Sequence, residues 1–252
     1  MIHSILIIGQ SNMAGRGYLK DAEPLNNRDE VLKVLRNGRW QGLFRPVNFD
    51  RPFSGTCLAE TFVESYADEH PDVEVGVIPC ADGGTRLCQW EEGTILFDNA
   101  VFQAKLAMRT SKLVGILWHQ GEGDCSEEHY STYLARITKM MTAFRRELGE
   151  DIPIVVGGLG DFLKDRVESP VLVNYHYVNS ALEEFAKTFP RTAFASAKGL
   201  TSNPDNLHFN HKSLMEFGKR YYSAFKTVEN KALVLDAEIK VDDSKRTEMG
   251  KL

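Results

Sequence analysis

The sequence is short of several things, and each shortage closes off a class of protein. Lys and Arg number 30 against 35 Asp and Glu, a net charge of -5. With no cationic excess to neutralise phosphates, neither nucleic acid nor an anionic membrane surface is the expected partner. No run approaches the roughly 18 apolar residues that span a bilayer. The opening residues Met1-Ile2-His3-Ser4-Ile5-Leu6 lack a basic n-region and run only a short way before Gly9. They do not read as a signal peptide, and a cytoplasmic protein is expected. The four cysteines, Cys57, Cys80, Cys88 and Cys125, have no metal-ligand spacing. Reduced thiols are expected, some of them core packing. Internal repeats, low-complexity tracts and linkers are also missing. The expectation is one domain over 1–235 and a charged tail over 236–252.

What is present points to a packed α/β protein. Hydrophobic residues make up 42% and charged residues 26%, enough for a sizeable core. Five short apolar, β-branched runs stand out: Ser4 to Ile8, Val73 to Pro79, Leu113 to Trp118, Ile152 to Gly157 and Thr192 to Ala195. Near-continuous hydrophobicity fits strands covered on both faces, as in a parallel sheet. Helical spacing fills the gaps, over Cys57 to Glu69, Ile95 to Met108, Ser126 to Leu148, Val171 to Phe189 and Leu214 to Phe225. Strands alternating with helices predict a doubly wound sheet. Between Asp21 and Pro52 the pattern breaks. Val31 to Trp40 reads as a β-hairpin on an Asn37-Gly38 turn (an insertion at 30–41), expected near the mouth of the site.

In such a sheet, ligands bind beyond the carboxyl ends of the strands. The unusual residues fall there. Ser11, in Gly9-Gln10-Ser11-Asn12-Met13, follows the first strand at a helix start. Its hydroxyl is exposed at the sheet edge, and its N–H can help hold an oxyanion. Met13 rules out the Gly-x-Ser-x-Gly elbow, and a phosphate-binding loop would need Gly-Lys-Ser or Gly-Lys-Thr. A plain helix N-cap remains the bland alternative. Asp205 and His208 stand three residues apart before the final helix. An aspartate that close can hold an imidazole in one tautomer as a general base. Gly83-Gly84 follows the second strand, and Trp118-His119-Gln120-Gly121-Glu122 ends the third. If the strand order is 2-1-3-4-5, these loops flank Ser11. N–H groups of Ser11 and of Gly83 or Gly84, with the Gln120 side chain, would then form an oxyanion hole.

Jointly, Gly9-Gln10-Ser11-Asn12-Met13, Gly83-Gly84, Trp118-His119-Gln120-Gly121-Glu122 and Asp205-x-x-His208 resemble the acetylxylan esterase/sialate O-acetylesterase branch of the SGNH hydrolases. The blocks come in that family's order, from the first strand to the last helix. The resemblance implies a three-layer flavodoxin-like fold around a five-stranded parallel sheet. It also implies hydrolysis of O-acetyl groups on a sugar or oligosaccharide without metal or cofactor. Ser11 is then the nucleophile, His208 the base and Asp205 its partner. Gln120 stands where the wider superfamily has an oxyanion-hole Asn. Gly123 departs from the common Gly-Glu-Ser-Asp, which touches loop shape or substrate fit but no triad member.

Competing readings stay open at this level. His119 is the rival base, although a residue directly after a buried strand reads better as a core histidine. Glu122 reads as a buried carboxylate that holds Gln120 or the Ser11 turn. A Glu122/Asp124 acid–base pair of the glycosidase kind has no geometric support at two residues' separation. Gln10, Asn12, Arg86, Trp90 and Asp161 are expected to support the site or touch substrate; ordinary packing is the alternative for Trp90. A non-catalytic sugar-binding module and an esterase for another short acyl group are the rival functions. A homo-oligomer is left open.

Overall fold

The computed structural model describes residues 1–25 and 30–230. The expected domain end at 235 and the tail 236–252 lie outside the described residues. In chain order the strands are β1 (Ile2–Gly9), β2 (Leu32–Arg36), β3 (Arg39–Gly42), β4 (Glu74–Pro79), β5 (Ser111–His119), β6 (Ile154–Gly157) and β7 (Thr192–Ala195). The α-helices are α1 (Ser11–Ala14), α2 (Ala59–Glu69), α3 (Ile95–Ala107), α4 (Glu127–Leu148), α5 (Tyr175–Thr188) and α6 (His211–Glu229). No helix of the described residues is long and apolar enough to cross a membrane.

Alternation along each strand explains the three layers. Ile5 and Ile7 of β1 join Val75 and Val77 of β4 in a core shared with α2 and α6. Leu6 and Ile8 point the other way and join Ile116 and Trp118 of β5 in a core shared with α3, α4 and α5. Both faces are thus covered, which is why polar residues are rare in these runs. Helix bounds differ from the sequence reading mainly at α6, which runs from His211 to Glu229 beyond the expected Leu214 to Phe225, and at α5. There a 3-10 turn over Pro170–Asn174 precedes the helix, as a proline at a helix start favours.

The sheet order is β3-β2-β4-β1-β5-β6-β7. Its central and right-hand part reproduces the expected 2-1-3-4-5 order, but the sheet has seven strands, not five. The two extra strands are the hairpin, which lies at the sheet edge rather than at the mouth of the site. β2 pairs parallel to β4, with Val34 opposite Val77, and β3 folds back antiparallel. Asn37 and Gly38 have φ of 49° and 73°, the left-handed pair that a tight two-residue turn requires. The cause is apolar matching. Leu32 and Val34 are buried with the α2 face, Trp40 packs over Gly76, and the open edge of β4 supplies backbone partners.

Candidate active site

Strand order reverses around β1, with β4 on one side and β5 on the other. The chain leaving β1 therefore enters the crevice at the switch point. Gly9 makes that exit (φ 128°), where a Cβ would stand 2.1 Å from the His119 carbonyl oxygen, so no larger residue fits. α1 begins at once. Met13 and Ala14 donate to the Gln10 carbonyl at 2.9 Å, and among the described residues the Ser11 N–H has no backbone acceptor. Ser11 is 6% exposed, at the amino end of a helical turn where N–H groups point outward.

The turn before α6 brings the other two groups. His208 Nε2 lies 3.0 Å from Ser11 Oγ, and His208 Nδ1 lies 2.6 Å from Asp205 Oδ2. Asp205 Oδ1 accepts the N–H groups of Leu207 and His208 at 3.0 Å each. With Nδ1–H held by the carboxylate, Nε2 is left as an acceptor toward the serine hydroxyl. Burial pushes the Asp205 carboxyl up, but the hydrogen bonds from His208 and from the two N–H groups outweigh it and hold it at about 2. The aspartate is therefore ionised at neutral pH.

Asn12 fastens the two halves together. Its Oδ1 accepts the Phe209 N–H at 3.0 Å, and its Nδ2 donates to the Leu207 carbonyl at 3.1 Å. Both neighbours of His208 are thus tied to the residue after Ser11. The same Nδ2 donates to Glu122 Oε1. Glu122 accordingly holds the Ser11 turn, one of its two expected tasks. Arg166 adds a brace by donating to the Asp205 carbonyl, and Asn203 Nδ2 donates to the Arg16 carbonyl at 2.9 Å.

The oxyanion side departs from the sequence reading. Gln120 is fully buried. Its Nε2 donates to Asp124 Oδ2 at 2.6 Å and to the Thr85 carbonyl at 3.1 Å, so neither amide hydrogen is free for substrate. Gly83 does lie against Ser11, a Cβ there being 3.4 Å from the Ser11 Cβ. Its N–H, however, donates to Asp50 Oδ2 at 2.8 Å. The Gly84 N–H has no backbone acceptor among the described residues. Gln10, expected to support the site, ties the end of β1 to the loop after β5. Its Oε1 accepts the Gly121 and Gly123 N–H groups at 3.3 Å, and its Nε2 makes no hydrogen bond among the described residues.

Asp50 is the residue the sequence reading missed. Its carboxylate takes both arms of the Arg16 guanidinium, at 2.9 and 2.6 Å, and the Ser54 hydroxyl at 2.7 Å. Burial pushes its carboxyl up, and the Arg16, Ser54 and Gly83 contacts bring it below its usual value. Arg51 meanwhile donates to Asp82 Oδ1 and to the Gly83 carbonyl. Both polar groups of Gly83 are thereby held. Nothing local marks Asp50, since it lies on an irregular loop 34 residues from Arg16.

The remaining candidates separate. Trp90 is fully buried, edge-on to Trp118 with centroids 5.7 Å apart, and its N–H donates to Thr85 Oγ1. It is core and offers no face to a sugar, because β4 and β5 both need apolar cover there. Arg86 is exposed, with its guanidinium 3.3 Å from His129 Nε2. Asp161 is exposed and accepts the Tyr175 hydroxyl at 3.1 Å. His119 is fully buried, edge-on to Phe209 and Phe217. Asp124 is buried under Gln120 and the Leu87 N–H. Among the described residues, no group of three or more His, Cys, Asp or Glu side chains is arranged to hold a metal ion.

A serine at the switch point of this sheet, faced by an aspartate-held histidine, defines the architecture of the SGNH-type ester hydrolases. The family model "Carbohydrate esterase, sialic acid-specific acetylesterase" matches residues 2–227, and the chain belongs to that family. It is thus a carboxylic ester hydrolase of the carbohydrate acetylesterase kind. A probable carbohydrate esterase of Arabidopsis thaliana is 24% identical over 244 residues, covering 87% of this chain and 88% of that protein. The fold is similar to that of an Arabidopsis thaliana protein, with a TM-score of 0.79 and 21% identity over 89% of this chain and 98% of the other. It is also similar to NanS, with a TM-score of 0.64 and 16% identity over 90% and 97% of the two chains.

Proposed function

We propose that this chain removes O-acetyl groups from a sugar or short oligosaccharide by two-step acyl transfer at Ser11. His208 takes the Ser11 proton as Oγ attacks the acetyl carbonyl. The Ser11 N–H, the Gly84 N–H and Gln10 Nε2 receive the oxyanion, because these donors are not committed elsewhere. His208 then gives its proton to the departing sugar hydroxyl. Water, activated by the same imidazole, releases acetate and regenerates the serine. None of these steps calls for a cofactor.

The observation that carries this proposal is the continuous contact from Ser11 Oγ through His208 to Asp205, at 3.0 and 2.6 Å. A helix cap needs no such partner. Polar side chains around the crevice, Gln10, Asn12, Asp82 and Arg86, suit a hydroxylated leaving group better than a long acyl chain. The test is acetate release from acetylated xylo-oligosaccharides, acetylated sialic acids and cell-wall sugars by the wild type and by Ser11→Ala. The variant should lose turnover and fluorophosphonate labelling while keeping its melting temperature. Turnover surviving in Ser11→Ala would refute the nucleophile. A rate that climbs with acyl length across a series of aryl esters would refute the acetyl group.

A further inference from the structure

Beyond α1 the chain runs along the site toward an unused cavity. Gly17 forms a β-bridge with Thr56. A Cβ at Gly17 would stand 2.9 Å from His211 Cα, three residues past His208. Here segments 17–20 and 52–55 enclose about 460 Å³, within the roughly 300–1,000 Å³ of small-molecule sites. A larger cavity, about 820 Å³, lies at the amino ends of β1 and β5 around His3 and Lys112, far from the nucleophile.

The walls of the smaller cavity are unusual. Phe53 is 69% exposed, Leu19 47% and Tyr18 43%. A single exposed apolar side chain is ordinary; three beside one cavity mark a binding groove. Phe53 is also held in place. The Arg16 guanidinium lies 5.2 Å from its ring centroid, and Arg16 is itself buried and clamped by Asp50. A Cβ on Gly83, beside Ser11, would stand 2.4 Å from Arg16 Nη2. A chain of fixed contacts therefore runs from the nucleophile to the ring. One face of Phe53 is backed by a cation, and the rest is open to solvent. Asp50 neutralises Arg16 behind the ring, and the Lys20 ammonium, which also lines the cavity, lies over Tyr18, so Phe53 itself presents a flat apolar surface. A pyranose ring presents such a surface on its C–H face.

We propose that this cavity is the subsite for the sugar ring adjoining the acetylated one, with Phe53 as its stacking platform, resting on the acetylesterase reading above. The substrate is then an acetylated oligosaccharide or glycoside, rather than an acetylated monosaccharide.

The experiment compares kcat/KM for an acetylated xylo-oligosaccharide with kcat/KM for methyl acetate, which is too small to reach Phe53. In Phe53→Ala this ratio should fall about tenfold, through KM, as expected for loss of one stacked ring. Phe53→Trp should restore it. A ratio unchanged in Phe53→Ala, in an enzyme that does deacetylate the oligosaccharide, overturns the subsite and leaves the function standing. A wild type that cleaves methyl acetate but no acetylated sugar overturns both. A preference for long acyl chains that Phe53→Ala abolishes also overturns the proposal, by assigning the cavity to the acyl group.

Discussion

Two loops at the carboxyl edge of the sheet each carry a histidine three residues from a carboxylate: His208 with Asp205, and His119 with Glu122. They differ in what surrounds them. The His208 side chain is 19% exposed and the Asp205 side chain 38%, and the free ring nitrogen meets a serine hydroxyl. His119 is sealed from solvent with Glu122 at 3.5 Å, and its Nδ1 lies 3.3 Å from the Tyr221 hydroxyl. In both pairs the carboxyl is brought below its usual value despite burial, chiefly by its histidine. Spacing and charge are therefore alike, and access decides the role. In the proposed mechanism one pair moves a proton at a substrate. The other ties the end of β5, through Glu122 and Asn12, to the loop that carries His208.

The largest effects should separate the two histidines. His208→Ala should lower kcat about 10⁴-fold or more with little change in melting temperature, as for the base of a serine triad. His119→Ala leaves the Glu122 carboxylate buried without its partner and should cost about 3–5 kcal/mol of stability, read by urea unfolding. A folded His119→Ala enzyme that loses more kcat than His208→Ala would reverse the assignment.

The two glutamines sharpen the same contrast between access and burial. Gln10→Ala removes a free donor and should cost roughly 10²–10³ in kcat. Gln120→Ala instead leaves Asp124 and the Thr85 carbonyl short of a donor. It should lower stability by about 1–3 kcal/mol, with a smaller loss of kcat. If Gln120→Ala proves the worse catalyst at full stability, Gln120 is the oxyanion donor after all.

The smallest effect is the acid response. Asp205 titrates at about 2 in the folded protein, below the roughly 3.9 of a free aspartate. The folded state thus binds fewer protons. The stabilisation is complete above about pH 4 and is lost as pH falls toward 2. Asp205→Asn should flatten stability against pH in that window. Superimposable acid-unfolding curves for variant and wild type would contradict this.

Much of the scaffold was legible because its cues are local. The near-continuous apolar runs located β1 and β4 to β7, and Asn37-Gly38 located the hairpin turn. Ser11 and the Asp205–His208 pair stood out because strand ends are where a doubly wound sheet binds ligands. Gln120, Trp90 and Asp50 show where such reading stops. Gln120 was expected from the resemblance to be an oxyanion donor, yet its amide is spent on Asp124, four residues on, and on Thr85, which folding brings to it. Trp90 could be read either as a sugar contact or as ordinary packing, and only the fold shows that it fills the gap over Trp118. Asp50 has no periodic context and acts only because Arg16 and Gly83 converge on it.

By itself, the sequence determined the layered α/β architecture and singled out Ser11, Asp205 and His208 as candidates, because apolar runs and a three-residue acid–base spacing are properties of short segments. Only the tertiary structure decided which groups reach one another. Ser11 and His208 are 197 residues apart in sequence and 3.0 Å apart in space. The commitment of the Gln120 amide to Thr85 and Asp124, and the seating of Phe53 on a clamped arginine, depend on packing between elements. No local pattern encodes that.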